Sequence, residues 1–245
     1  MIPDAKESEL LKQGYYTASG TVLKRKEGLK NSQSLLLFLK GYGIMWVSAP
    51  SGSKSRFAGA GEPMVWGSYE LYKSPGRFYV KSAEIKEDFL NVRSSPKKLT
   101  TAVSLYRLIS QTIYQEHEND KALNLLWSCM LLLNSGCPAE TVKFRFIWRL
   151  LKYLGLAPSL TNCVSCSAPL NNAFAAHDGL LCEKCAAAGH KISAVQLAEL
   201  QAAAMLPQEK FAEWAKGRAG ADNSEFEIFE EYGRYLKSFF AGLGY

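Results

Sequence analysis

The sequence predicts an α+β protein: a small closed β-barrel, then a helical domain that carries a four-cysteine metal-binding insertion. Three observations lead there. Residues 14–92 break into short runs rich in aromatic and β-branched residues, separated by Gly-containing turns. From Ser95-Pro96 onward, apolar residues recur at helical spacing. Between the third and fourth expected helices, Cys163, Cys166, Cys182 and Cys185 fall in the pattern C-x2-C-x15-C-x2-C. A chain of 245 residues, 47% hydrophobic and 21% charged, is long enough to bury two such cores.

The strands come first. Tyr15–Lys24 is aromatic and β-branched, and a charged, Gly-containing turn is expected at Lys24–Asn31. Gln33–Lys40 and Tyr42–Val47 are apolar runs joined by Gly41-Tyr42-Gly43, a hairpin signature. Ala49–Gly61 mixes Pro50, serines and glycines with Lys54 and Arg56 and reads as a loop. Pro63–Tyr72 and Arg77–Phe89 are strand-like again, with the turn Ser74-Pro75-Gly76 between them. Five short strands in about 80 residues favour closure, because a closed barrel exposes no strand edge.

Ser95-Pro96 changes the regime, with Ser95 as N-cap and Pro96 at the first helical position. Leu99, Ala102, Val103, Tyr106, Ile109 and Ile113 then share a helical face. A second helix is expected over Asp120–Asn134, stopped by Gly136, and a third from Pro138 to Gly155. Two later helices open on the capping boxes Ser193/Gln196 and Ser224/Glu227. The expected division is residues 1–93 for the barrel and 94–245 for the helical domain, with the insertion at about 160–188.

No apolar stretch approaches the ~18–20 residues of a membrane helix. The first nine residues carry three acidic side chains and no apolar core, unlike a secretory signal, so the expected location is the cytoplasm. The formal charge of +6 is uneven: residues 1–94 hold 14 Lys+Arg against 9 Asp+Glu, whereas residues 186–245 hold 6 against 8. A basic first two-thirds fits either an anionic partner such as nucleic acid or an ordinary solvated surface.

Two C-x2-C knuckles each offer two thiolates, and a 15-residue connection lets them close one tetrahedral Zn²⁺ site. Four cysteine ligands leave no open position for water, so the expected zinc is structural, one per chain, held by Cys163, Cys166, Cys182 and Cys185. A zinc deaminase needs His-x-Glu before its Cys-x-x-Cys; His177 is followed by Asp178 and Gly179. Cys129 reads as a core residue and Cys137, before Pro138, as inert. His117 and His190 read as solvated. No Ser/His/Asp set, P-loop or G-x-G-x-x-G is present, so the protein reads as a binding protein rather than an enzyme. The competing class is a zinc-dependent nuclease or other nucleic-acid hydrolase. Its best carboxylate group, Glu225, Glu227, Glu230 and Glu231, has no histidine nearby and reads as a solvated helix face. A zinc-ribbon adaptor of transcription is a third class, resting on the four cysteines alone.

The order of parts carries a family resemblance. Gly52-Ser-Lys-Ser-Arg56 follows an apolar strand, then come Gly67-Ser-Tyr-Glu-Leu-Tyr72, Arg77-Phe-Tyr-Val-Lys-Ser-Ala-Glu-Ile85 and a helical region with the Cys-x-x-Cys pair. Over roughly residues 14–240 this resembles the bacterial DNA repair protein RecO family. The chain departs from the family pattern entering its second strand, where it reads Lys30-Asn-Ser-Gln-Ser34. The resemblance implies an N-terminal OB-fold β-barrel, a helical C-terminal domain and a zinc finger. It also implies a nucleoid-associated recombination mediator of the RecF pathway that binds single- and double-stranded DNA and anneals complementary strands. Its implied partners are RecR and the single-strand DNA-binding protein, and indirectly RecA, which it helps to load.

OB-fold barrels bind single strands through a basic groove with aromatic stacking faces. The candidate DNA contacts are Lys24, Arg25, Lys26, Lys30, Lys54, Arg56, Lys73, Arg77 and Lys81, each equally readable as a solvated charge. Ten aromatic residues accompany them, and strand alternation sends about half into the core. On the third helix, Arg145, Arg149 and Lys152 fall at i, i+4 and i+7, with Trp148 alongside. They read either as an exposed basic face or as a dock for the acidic, hydrophobic-ended tail of the single-strand DNA-binding protein.

Overall fold

Aromatic and β-branched residues in the first third of the chain form five strands: β1 (Gly14–Glu27), β2 (Ser32–Leu39), β3 (Gly43–Pro50), β4 (Trp66–Ser74) and β5 (Arg77–Glu87). In the computed structural model these close into a barrel in the order β1-β2-β3-β5-β4. The structure describes residues 12–28, 32–50, 59–115, 117–176, 179–187 and 190–218. The loop carrying Lys54 and Arg56, together with Lys30, lies outside the described residues. Neighbouring strands are antiparallel except β3 and β5, which meet in parallel at Ser48 and Tyr79. β1 is long enough to serve both sides, pairing with β4 along its first half and with β2 along its second. Where the two pairings overlap, a Cβ on Gly20 would lie 2.0 Å from the Phe38 carbonyl oxygen, so the bend requires glycine.

Leu35, Leu37 and Leu39 of β2 and Met45, Val47 and Ala49 of β3 fill the barrel with Val22, Tyr69, Leu71 and Val80. The buried Tyr69 hydroxyl donates to Ala60 O at 3.1 Å, so the core holds no orphaned phenol. β1 runs on to Glu27, which corrects the turn expected from Lys24; Lys24, Arg25 and Lys26 are strand residues. The Ser74-Pro75-Gly76 turn is where expected. At the β2–β3 hairpin, Gly43 has φ 73° and a Cβ there would meet the His117 carbonyl oxygen at 2.0 Å. Gly41 N donates to Asp120 Oδ1 at 2.8 Å and Ile44 bridges to Gln115. Ile109–Asn124 accordingly groups with Met1–Phe89 in one compact unit, and Leu90–Leu108 with Leu125–Tyr245 forms the other.

The helices are α1 (Leu90–Arg93), α2 (Pro96–Thr112), α3 (Asp120–Asn134), α4 (Ala139–Tyr153), α5 (Ala194–Met205) and α6 (Gln208–Gly217). α3 ends at Gly136 (φ 99°), with Cys137 N donating to Leu132 O at 3.1 Å, a glycine-terminated C-cap. α5 opens on the expected capping box: Gln196 N donates to Ser193 Oγ, and Ser193 N to Gln196 Oε1 at 2.9 Å. The Ser224/Glu227 box lies outside the described residues. α1, α6 and a small sheet in the cysteine segment were not foreseen: β6 (Ala173–Ala176), β7 (Gly179–Leu181) and β8 (His190–Ile192), in the order β7-β6-β8. Among the described residues no helix is long and apolar enough to cross a membrane.

The basic face expected on α4 is corrected by its burial. Arg145 is only 2% exposed; its Nη1 donates to Ala203 O at 2.9 Å and its Nη2 to Leu206 O at 2.7 Å. Arg149, half-buried, donates from Nε to Ala204 O (3.0 Å) and from Nη2 to Leu206 O (2.8 Å). Trp148 is buried, with Nε1 donating to Pro158 O, and Lys152 alone of the four is exposed. The cause lies in α5. Its last carbonyls have no helical N–H partner, Pro207 cannot supply one, and they form the negative end of the helix dipole. Two guanidinium groups satisfy them, and the Arg145 guanidinium also stacks 4.2 Å from the Phe211 ring of α6. Burial, then the neighbouring Arg149 charge, pushes Arg145 down to about 10, which still leaves it cationic near neutrality. Replacing Arg145 with Met should cost roughly 2–4 kcal/mol of stability in urea unfolding, because Ala203 O loses a charged donor in a dry site. Lys152→Ala should stay within about 0.5 kcal/mol.

Candidate metal centre and barrel surface

The cysteine segment lies between α4 and α5 and is held by backbone hydrogen bonds. In the first knuckle Cys163 N donates to Ala168 O at 2.8 Å and Ser167 N to Cys163 O at 2.9 Å. Ser167 takes up a left-handed conformation (φ 60°), and Asn162 Nδ2 ties the bend by donating to Ser167 O at 3.0 Å. In the second knuckle Cys185 N and Ala186 N both donate to Cys182 O at 3.0 Å. Val164 N donates to Leu180 O at 2.9 Å, which brings the knuckles together across β7.

All four sulfurs lie within 4.8 Å of one another, and Cys166 and Cys182 Sγ are 3.7 Å apart. A tetrahedron with metal–sulfur bonds of about 2.3 Å has edges of about 3.8 Å, so the donor set and its spacing fit a four-thiolate metal site. Cys163 is buried, Cys166 exposed, and Cys182 and Cys185 half-buried. The thiols differ in acidity. Hydrogen bonds from the backbone at Cys182, and more weakly at Cys166 and Ser165, draw Cys163 down to about 6. Hydrogen bonds with the Cys166 and Cys182 side chains push Cys185 up to about 12. Cys129 and Cys137 take no part: both are fully buried, and burial pushes Cys129 up to about 12.

The candidate DNA contacts fall in different settings. Lys24 and Lys26 are exposed on β1, and the Lys26 ammonium lies 4.8 Å from the centroid of the Trp46 ring. Arg25 points to the other side of the strand, where the Glu27 hydrogen bond, then the Glu62 charge, hold its guanidinium above the ordinary arginine range. Lys73 lies 4.5 Å from the Phe78 ring centroid, Lys81 lies 5.1 Å from that of Tyr72, and Arg77 is exposed at the β4–β5 turn. Strand register brings together residues that the sequence leaves scattered. Lys26, Ser34, Ser48, Tyr79, Tyr72 and Tyr15 are successive cross-strand partners on the outside of the barrel, a belt that starts and ends on β1. Alternation marks each as outward, but their alignment depends on the long-range pairing of β3 with β5 and of β4 with β1.

A family model described as "Recombination protein O C terminal" matches residues 93–232. Several curated proteins named "DNA repair protein RecO" are similar. That of Alkaliphilus metalliredigens is 28% identical over 172 residues, 68% of this chain and 70% of that protein. Those of Clostridium perfringens strain 13 and an Exiguobacterium species are 28% identical over 174 residues and 25% over 186, covering 69% and 74% of this chain and 71% and 75% of theirs.

The thiol inventory is directly measurable. In the folded protein at pH 8, Ellman's reagent should reach at most four of the six cysteines, with Cys129 and Cys137 reacting only on unfolding. A fifth thiol titrating under native conditions would contradict the burial described here.

Proposed function

This chain belongs to the recombination protein O family, whose curated members are named DNA repair proteins, and we propose that it serves repair as a non-enzymatic recombination mediator. In this reading it binds single- and double-stranded DNA, anneals complementary strands and helps load recombinase onto DNA coated by single-strand binding protein. The observation that carries the reading is the barrel. The outward belt traced round it returns to β1 eleven residues from its start, at Tyr15 rather than Lys26. Five strands in the order 1-2-3-5-4 with so large a stagger are what an OB-fold requires, and that fold presents a basic, aromatic outer surface to nucleic acid. Lys24, Lys26, Lys73, Arg77 and Lys81 are its proposed phosphate contacts, joined by Lys30, Lys54 and Arg56, while Arg25 serves chiefly its two carboxylate partners.

RecR, the single-strand DNA-binding protein and, through them, RecA are the partners proposed with that role. The tail-docking idea contracts to Lys152 and the half-buried Arg149, since Arg145 and Trp148 are interior. At the four cysteines we propose one structural Zn²⁺ per chain: thiolate ligands suit that ion, and a site closed by four of them has no position for a reacting water.

Strand annealing by the purified protein without nucleotide tests the mediator reading; cleavage products instead of duplex would turn it towards a nuclease. Replacing Lys24 and Lys26 together with Ala should weaken single-strand binding and flatten its salt dependence by up to about 0.7 per lost contact. An unchanged slope would place the phosphate contacts elsewhere. Metal analysis should return one zinc per chain, and Cys163→Ser should abolish it and lower the cooperativity of helical-domain unfolding. Less than half a zinc per chain in protein purified without chelator would refute the metal assignment.

A further inference from the structure

The outward row Tyr15–Tyr72–Tyr79 has no role in the barrel core. Tyr15 is 66% and Tyr79 39% exposed, whereas inward aromatic Tyr69 is 1% exposed. The three lie side by side on β1, β4 and β5 as registered pairs, so their rings rise from strands about 4.8 Å apart. The Tyr15 and Tyr72 rings sit 5.1 Å apart at 54°. Tyr72 is fixed from both sides: its hydroxyl accepts from Gln13 Nε2 at 2.9 Å, and the Lys81 ammonium lies 5.1 Å from its ring centroid. The row continues through Ser48 and Ser34 to Lys26 and contains no carboxylate. In the next row Glu70 accepts a hydrogen bond from Ser82 Oγ at 2.8 Å.

Resting on the DNA-binding reading above, we propose that this tyrosine row is a base-stacking platform that makes the barrel prefer unpaired strands to duplex. Rings that are already held lose little conformational freedom on contact, and every base offers a π-face, so stacking is strong and tolerant of sequence. In a duplex those faces are covered by neighbouring base pairs, and only the phosphates remain for the flanking lysines. The carboxylate-free belt, with Lys81 over its centre and Lys26 at its far end, lets the phosphates run alongside the stacked bases. Charge and aromatic surface thus match the same ligand, a single-stranded nucleic acid.

The test uses the full chain with three probes of equal length: an oligothymidylate, an abasic oligomer and a duplex. The wild type should bind oligothymidylate more tightly than the abasic oligomer. Tyr15→Ala with Tyr79→Ala should lose roughly ten- to hundredfold for oligothymidylate while duplex and abasic binding and the salt slope stay unchanged. Tyr15→Phe with Tyr79→Phe, which keeps the ring faces, should restore the preference. Equal loss on all three probes, or unchanged oligothymidylate affinity in the Ala variant, overturns the platform. If the wild type binds none of the probes, the DNA-binding reading itself fails, a different result from loss of base preference alone.

Discussion

The stagger of the closed barrel is the constraint from which most of the first unit follows. Five strands cannot close without sliding along one another, and the amount of slide decides which residues stand side by side. Inside, it sets Leu35, Leu37 and Leu39 against Val22 and Val47, so the core fills with branched side chains. Outside, the same slide aligns Tyr15 with Tyr72 and Tyr79. A register error of one residue would bury the tyrosines and expose the leucines, so core packing enforces the surface arrangement. Gly20 is where this geometry is tightest, because β1 must bend between two partners with the Phe38 carbonyl directly against it.

In the second unit the corresponding constraint is polar. α4 carries two arginines whose forked donors meet the three carbonyls that α5 cannot satisfy for itself. A guanidinium suits this place better than an ammonium, since its planar array of donors reaches two carbonyls at once while one face lies on Phe211. Gln201 extends the same logic by donating from Nε2 to Leu160 O at 2.8 Å, fastening α5 to the start of the cysteine segment.

Much of this was legible in the residues. The helix boundaries at Pro96, Gly136 and Ser193 are written in proline, glycine and capping chemistry, which act over one turn, and the cysteine spacing needs no long-range knowledge. What failed to show was decided by distant partners. Arg145 and Lys152 look alike at helical spacing, yet one faces the end of a helix some 60 residues on and the other faces solvent. β1 outruns its apolar segment because pairing with β2 extends through Lys24–Glu27, where composition alone suggests a turn. β6, β7 and β8 are three or four residues each, too short for any periodicity to register, and exist because the knuckles bring them together.

The contact between Arg145 and Ala203 also bears on how quickly the second unit can form. Joining residues 58 apart is a non-local step, and its entropic cost rises with the logarithm of the open loop. The small sheet shortens that loop, since Ala173 lies opposite Ile192 just before α5 begins. That pairing bypasses about a third of the loop and lowers the closure cost by roughly 0.3–0.4 kcal/mol. An excursion that looks like an appendage to the helices thus shortens the path along the chain between the two ends of a distant contact.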